Sequence, residues 1–304
     1  MTRVGLYPGC SMPGSAREYG ESLDAVSKKM GFELVQVPDW NCCGATAAHN
    51  LNHTLSLSLP ARILALAEKA GLNELLVPCA ACFNRLVMTN EELSKDKGLK
   101  DKIIDIIELD YQGKVKVINI VSFLEKIMSG GLDNAVTAAF NYRAACYYGC
   151  LLVRPPKIVN FDRVEDPQIM DDIMKLIGAA PIDWSFKTEC CGAGLSISKT
   201  DIVAELSEKI VRDAVNRGAE VIIVACPMCH TNLDMRRNKI EERAGKKYDI
   251  PVLYITQAIG LALGIGKKEL GIHRHIVPVN LPQAGASDKG ETASVKAEKE
   301  LEHV

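Results

Sequence analysis

The chain has 304 residues, 47% of them hydrophobic and 24% charged, with a formal net charge of −2 at pH 7. That length allows one large or two medium domains with sound cores, and the near-neutral balance leaves no footprint for nucleic acid or an anionic membrane surface. The opening "MTRVGLYPGCSMPG" lacks the basic and apolar regions of a secretory signal. No apolar run reaches the roughly 18 residues of a membrane span, so a cytoplasmic location is expected.

In chain order, short apolar runs alternate with helical patterns. "RVGLY" precedes Cys10, and a helix is predicted from Ser15 to Met30, stopped by Gly31. A second helix is predicted from Ser58 to Ala70, stopped by Gly71, and "ELLVP" leads into Cys79. "RAACYY" leads into Cys150, and "EVIIVA" into Cys226 after a helix from Thr200 to Arg217. The stretch "ITQAIGLALGIG" from Ile255 reads as a buried helix or a contact between subunits. Runs of this length bounded by Gly or Pro are buried strands. Their alternation with helices predicts an α/β fold with parallel or mixed sheets and sites at the strand C-terminal ends.

Eleven cysteines are many for a chain without a secretory signal, and an odd number does not pair off. Ten of them form a repeat. Cys10, Cys42-Cys43 and Cys79-x-x-Cys82 recur as Cys150, Cys190-Cys191 and Cys226-x-x-Cys229, with intervals of 31 and 35 residues in the first copy and 39 and 34 in the second. The context repeats too: "YPGC" answers "YYGC", and "LLVPCAACFNRL" answers "IIVACPMCHTNL". This predicts an internal duplication, with domains over 1–135 and 136–275 joined near "SGGLDNAV" (Ser129–Val136) and a polar, flexible or partner-binding tail over 276–304. Cys146 has no counterpart, since Leu6 stands there, and reads as a small buried hydrophobe.

Adjacent cysteines rarely bridge to each other, because a disulfide needs well-separated Cα atoms and a specific dihedral. Metal or redox chemistry is the better reading. Zinc takes four ligands and would leave one thiol of each five unused. The compact four-cysteine ferredoxin run is absent, and a thioredoxin-like CxxC does not explain the CC pairs. Both CxxC motifs fall at a strand-to-helix turn, where free backbone N–H groups favour negative charge.

These ten cysteines, over about residues 3 to 260, resemble the family that carries the CCG, or cysteine-rich, domain in duplicate, and most closely the B subunits of heterodisulfide reductase. The resemblance implies that each set holds a noncubane [4Fe–4S] cluster, one cysteine bridging two irons: Cys10, Cys42, Cys43, Cys79 and Cys82 for the first, Cys150, Cys190, Cys191, Cys226 and Cys229 for the second. Gly44 and Gly192 would let backbone approach and donate to the sulfurs. The implied reaction is reduction of the mixed disulfide of coenzyme M and coenzyme B to two thiols, each cluster receiving one sulfur. Both coenzymes are anionic, which makes Arg85, Arg154, Lys157, Lys199 and His230 candidate substrate contacts. Where the family often has histidine after the first cysteine of the second copy, this chain has Leu151. His230, Tyr7 and Tyr147 are then the candidate proton donors. No GxGxxG follows a strand, so no flavin or nicotinamide is expected in this chain. The implied partners are a small ferredoxin-like protein and a flavoprotein of the same complex, with a hydrogenase or formate dehydrogenase upstream. In methanogens such a complex performs flavin-based electron bifurcation. The alternatives are a CCG subunit of a lactate, glycolate or succinate dehydrogenase complex, and a zinc-stabilised adaptor without catalysis.

Overall fold

The computed structural model describes residues 2–129, 131 and 135–281. Half of the anticipated linker (130 and 132–134) and all of the tail from residue 282 lie outside them.

The first half runs β1 (Thr2–Leu6), α1 (Arg17–Lys29), β2 (Phe32–Gln36), α2 (Ala48–Leu51), α3 (His53–Lys69), β3 (Glu74–Val77), α4 (Ala80–Lys95), α5 (Lys97–Ile107), β4 (Lys116–Asn119) and α6 (Ile120–Ser129). The second half runs β5 (Arg143–Tyr147), α7 (Pro156–Val159), α8 (Ile169–Leu176), β6 (Ala180–Pro181), α9 (Thr200–Asn216), β7 (Val221–Val224), α10 (Pro227–His230), α11 (Arg237–Ala244), β8 (Val252–Tyr254) and α12 (Ile255–Ala262). The strands form two four-stranded sheets, ordered β2-β1-β3-β4 and β6-β5-β7-β8. Every pairing is parallel, for example Gly5 with Leu75 and Ala145 with Ile222. The fold is therefore α/β in two pseudo-repeated units.

The order explains where the cysteines gather. From β1 the chain turns to one edge of the sheet, and from β3 to the other, so a crevice opens at the C-terminal ends of these two central strands. Cys10 follows β1, and Cys79 caps α4 directly after β3. β5 and β7 do the same for Cys150 and Cys226.

Of the strands read from apolar runs, β3, β5 and β7 are buried almost throughout, as parallel strands covered on both faces should be, while β1 is exposed at Thr2 and Arg3. Cys146 is fully buried on β5, as a core residue. One helix start differs from expectation. α3 begins at His53, capped by the Asn52 side chain accepting from Leu55 N, and carries Pro60 in its interior. Proline normally marks a first turn, which is why the sequence places the start near Ser58.

The halves pack through α1 and α12. Tyr19 stacks on Tyr254 with ring centroids 4.1 Å apart, and Ser22 Oγ lies 2.7 Å from Thr256 Oγ1. Such an aromatic pair contributes about 0.5–1.5 kcal/mol beyond its buried area. The Tyr19 hydroxyl lies 3.3 Å from Pro78 O and 3.2 Å from Ala225 O, the carbonyls just before Cys79 and Cys226. One phenol thus spans the two strand ends that launch the CxxC motifs. Among the described residues no helix is long and apolar enough to cross a membrane.

Candidate metal centres

Each half brings its five cysteines together. In the first, Cys43 Sγ lies 3.1 Å from Cys82 Sγ, Cys42 hydrogen-bonds with Cys10 and Cys43, and Cys82 with Cys79. In the second, Cys191 Sγ lies 3.7 Å from Cys229 Sγ, with Cys150 bonded to Cys190 and Cys229 to Cys226. Cys43, Cys79, Cys82, Cys191, Cys226 and Cys229 are buried, while Cys10, Cys42 and Cys190 are exposed at the rim. The sets also touch each other, because the Cys79 and Cys226 thiols hydrogen-bond across the boundary between the halves.

Backbone N–H groups approach one sulfur of each CC pair and the Cys226 sulfur. Gly44 N lies 3.4 Å from Cys42 Sγ, and Gly192 N 3.3 Å from Cys190 Sγ. Cys226 accepts from the N–H groups of Cys229 and of Ala80, the latter contributed by the other half. Bonds from Cys10 and Cys43 bring the Cys42 thiol down to about 2. The bond from Cys150, with the Gly192 and Ala193 N–H groups, brings Cys190 to about 6. Hydrogen bonds from Cys229 and Cys79 lower Cys226 well below the usual thiol range. The thiols that donate in these bonds, Cys10, Cys43, Cys79, Cys82, Cys150 and Cys229, are pushed up instead by the same thiol contacts and by burial, and a soft metal centre is what would hold them as thiolates. Five sulfurs per set, with N–H donors behind them, fit an iron–sulfur group better than a four-coordinate zinc.

Gly44 and Gly192 have φ of 72° and 77°, the left-handed region, and their N–H groups point back at the first cysteine of each CC pair, Cys42 and Cys190. The glycines of "YPGC" and "YYGC" are a second such pair. A Cβ on Gly9 would lie 3.2 Å from Cys82 Sγ, and one on Gly149 3.1 Å from Cys229 Sγ. Gly149→Ala is expected to cost about 1–2 kcal/mol in backbone strain and to strip metal from the second set. Gly245→Ala, at φ 66° with open space around it, should carry the strain without the metal loss. Metal analysis beside denaturant unfolding separates the two.

The proposed proton donors are placed otherwise. Tyr7 Oη donates to Asn41 O at 2.9 Å and Tyr147 Oη to Glu189 O at 2.6 Å, the carbonyls just before the CC pairs. Burial pushes both phenols far above their ordinary range. Their hydroxyl bonds hold the CC turns in place. His230 is buried, stacked on Tyr254 at 4.3 Å, with Nε2 3.2 Å from Val252 O. Burial lowers it to about 3, so it is neutral and supplies no charge to an anion.

His230, Asp234 and His275 have ligand atoms within 4.8 Å of one another. Hydrogen bonds already account for them. Asp234 accepts from Ile276 N and Val277 N. Gln257, oriented by Tyr254 N on its oxygen and Leu270 O on its nitrogen, donates to His275 Nε2 at 2.8 Å. That leaves the His275 proton on Nδ1, the atom a metal would need.

Of the cationic candidates, Arg154 is committed to Glu165 at 2.8 Å and to Thr188 O at 3.2 Å. Arg85 is half-buried on α4, and Lys157 and Lys199 are exposed. Leu151 lines a narrow cavity of about 30 Å³ over the second set, with Met228 and, from the other half, Ala80 and Ala81. Asn84 was not anticipated. It reaches across from α4 to donate to Arg154 O at 2.7 Å, fixing the turn that follows Cys150.

The sequence model of the cysteine-rich (CCG) domain matches this chain twice, over residues 4–87 and 144–234. The chain belongs to the CCG cysteine-rich domain family. Each CCG copy spans the first three strands of one sheet and all five cysteines of one set. The B subunit of the ferredoxin/F(420)H(2)-dependent CoB-CoM heterodisulfide reductase of Methanosarcina acetivorans is 30% identical over 285 residues, 91% of this chain and 94% of the relative. The 8-methylmenaquinol:fumarate reductase membrane anchor subunit of Wolinella succinogenes is 29% identical over 275 residues, 90% of this chain and 96% of the relative. Among solved structures, a hypothetical protein from Helicobacter pylori shares the fold at a TM-score of 0.71 and 13% identity, over 91% of this chain. This chain spans about half, 52%, of that protein.

Proposed function

We propose that this CCG protein is the catalytic subunit of a heterodisulfide reductase complex, with one noncubane [4Fe–4S] cluster in each five-cysteine set and the coenzyme M–coenzyme B disulfide as substrate. The observation that carries this reading is the duplicated set of five thiols meeting across one boundary at Cys79 and Cys226. A disulfide has two sulfurs and needs two electrons, and the paired sets offer two stations. The similarity to a heterodisulfide reductase B subunit over most of both chains supports the same substrate class. When bound, the clusters would supply one electron each and a Lewis-acidic iron for each sulfur.

The chain's own residues do the rest. N–H groups of Gly44, Gly192, Ala80 and Cys229 hold charge on the cysteine sulfurs. Tyr7 and Tyr147 fix the two CC turns, and Leu151 with Met228 keeps the approach to the second set apolar. Arg85, Lys157 and Lys199 face anionic substrate groups. The protons of the product thiols come from water at the exposed rim, since the tyrosines and His230 are engaged elsewhere. Electrons arrive from a ferredoxin-like partner fed by a flavoprotein in a bifurcating assembly.

A second reading rests on the Wolinella relative. The membrane anchor subunit of an 8-methylmenaquinol:fumarate reductase is similar to this chain to nearly the same degree, which fits a CCG subunit of a quinol-linked reductase. Electron paramagnetic resonance on anaerobic protein oxidised with coenzyme M separates the two. A new signal, broadened when the thiol carries a magnetic sulfur isotope, is expected for a disulfide reductase. Full iron and sulfide with no thiol-dependent signal would sink that assignment in favour of a quinol-linked relay.

A further inference from the structure

The two sets differ just behind the CxxC motifs. After Cys82 the first copy continues as the unbroken helix α4. After Cys229 the second copy breaks: α10 ends at His230 and a π-helical turn follows over Thr231–Met235, with Arg236 N donating to Thr231 O five residues back at 3.3 Å. Such turns rotate the side chains that follow and are frequent at functional sites. This one buries Asn232 completely against the second CC pair. Asn232 Nδ2 donates to Cys191 O at 2.9 Å and lies 3.5 Å from Cys191 Sγ, while its Oδ1 accepts from Ser196 Oγ at 2.9 Å. The amide is therefore oriented from both ends. Counting from the CxxC motifs, the corresponding residue of the first copy is Arg85, half-buried on a regular helix. Among the described hydrogen bonds, the sulfurs of the first set receive only backbone N–H groups and other thiols.

We infer that Asn232 is a positioning residue that makes the two centres unequal: its N–H bond to the Cys191 sulfur sets the reduction potential of the second centre above that of the first. The inference rests on the reading of both sets as iron–sulfur ligand shells. A donor to a ligating sulfur withdraws charge from it and so favours the more electron-rich, reduced centre. The first electron to enter the chain then resides at the second set.

The test is a dye-mediated redox titration followed by electron paramagnetic resonance on the full chain, with iron and sulfide measured on every sample. Cys43→Ser, which keeps only the second set loaded, identifies that set's midpoint. Wild-type protein should show two midpoints, the higher belonging to the second set. Asn232→Leu, similar in size but without donors, should move that midpoint down and leave the other in place. Asn232→Asp, which puts a carboxylate beside the sulfur, should move it further. Ser196→Ala frees one end of the amide and should give a smaller shift of the same sign, which keeps the test open if substitution at 232 prevents folding. Unchanged midpoints in loaded Asn232→Leu, equal shifts of both, or no shift in Ser196→Ala would overturn the inference. Wild-type protein without iron and sulfide would instead overturn the cluster reading beneath it.

Discussion

Cys43→Ser is expected to halve the iron and sulfide of the purified protein and leave the second set loaded. Cys43 sits deep in the first set, and its described thiol partners, Cys82 and Cys42, belong to that set. Serine keeps the shape but gives a neutral hydroxyl where a thiolate ligand is needed. Because metal binding and folding are linked, the first half should also lose stability. Cys79→Ser should behave differently. Its thiol hydrogen-bonds to Cys226, and the N–H of its neighbour Ala80 supports the Cys226 thiolate. Loss there should reach both sets and remove more than half of the iron. Equal losses from Cys43→Ser and Cys79→Ser would mean that the boundary contact does not couple the sets.

The second large effect concerns stability. Lys187→Met is expected to destabilise the protein by about 3–5 kcal/mol, the usual consequence of leaving a buried charge without its partner. The Lys187 side chain is 4% exposed and that of Asp171 5%, with Nζ 3.1 Å from Asp171 and 2.9 Å from the exposed Asp166. Tyr148 Oη donates to Asp171 at 2.7 Å and accepts from Met170 N at the same distance. Tyr148 N and Gly149 N donate to Lys187 O, so the network fixes the turn that presents Cys150. Denaturant unfolding of the metal-loaded protein gives the magnitude. Lys187→Met combined with Asp171→Leu removes both charges and should recover part of the loss. The recovery is incomplete because the Tyr148 hydroxyl then lacks its acceptor. A double variant no better than the single one would place the cost in packing rather than in the unpaired carboxylate.

The cysteine repeat and the strands that carry it can be read directly from the residues. β7 is apolar from end to end, and β3 after its first residue Glu74, because both sheet faces are covered. β2 is not legible in the same way: "FELVQ" lies at a sheet edge, half-exposed, and carries no continuous apolar run. β6 is only two residues long. The tyrosines of "YPGC" and "YYGC" are visible as a pair, but whether a phenol points at a substrate or at a carbonyl 34 or 42 residues away depends on tertiary contact. Asn232 escapes a reading of the sequence for a related reason. "HTNLDMRRN" and "FNRLVMTNE" both pass for helix, and the π-helical turn comes from how the second half packs. A polar residue in a helix interior, where Asn competes poorly for helical bonds, is the available signal. Nearness in sequence to the cysteines, which marks out the cationic candidates, does not separate Arg154, engaged with Glu165, from Lys157 at the surface.

The most direct test of the central claim, that each five-cysteine set holds an iron–sulfur cluster, is the iron, zinc and acid-labile sulfide content of anaerobically purified protein. Iron and sulfide in equal amounts, about four of each per cysteine set and no zinc, is the predicted result. Zinc bound without sulfide would contradict the account and make the ten cysteines a structural scaffold.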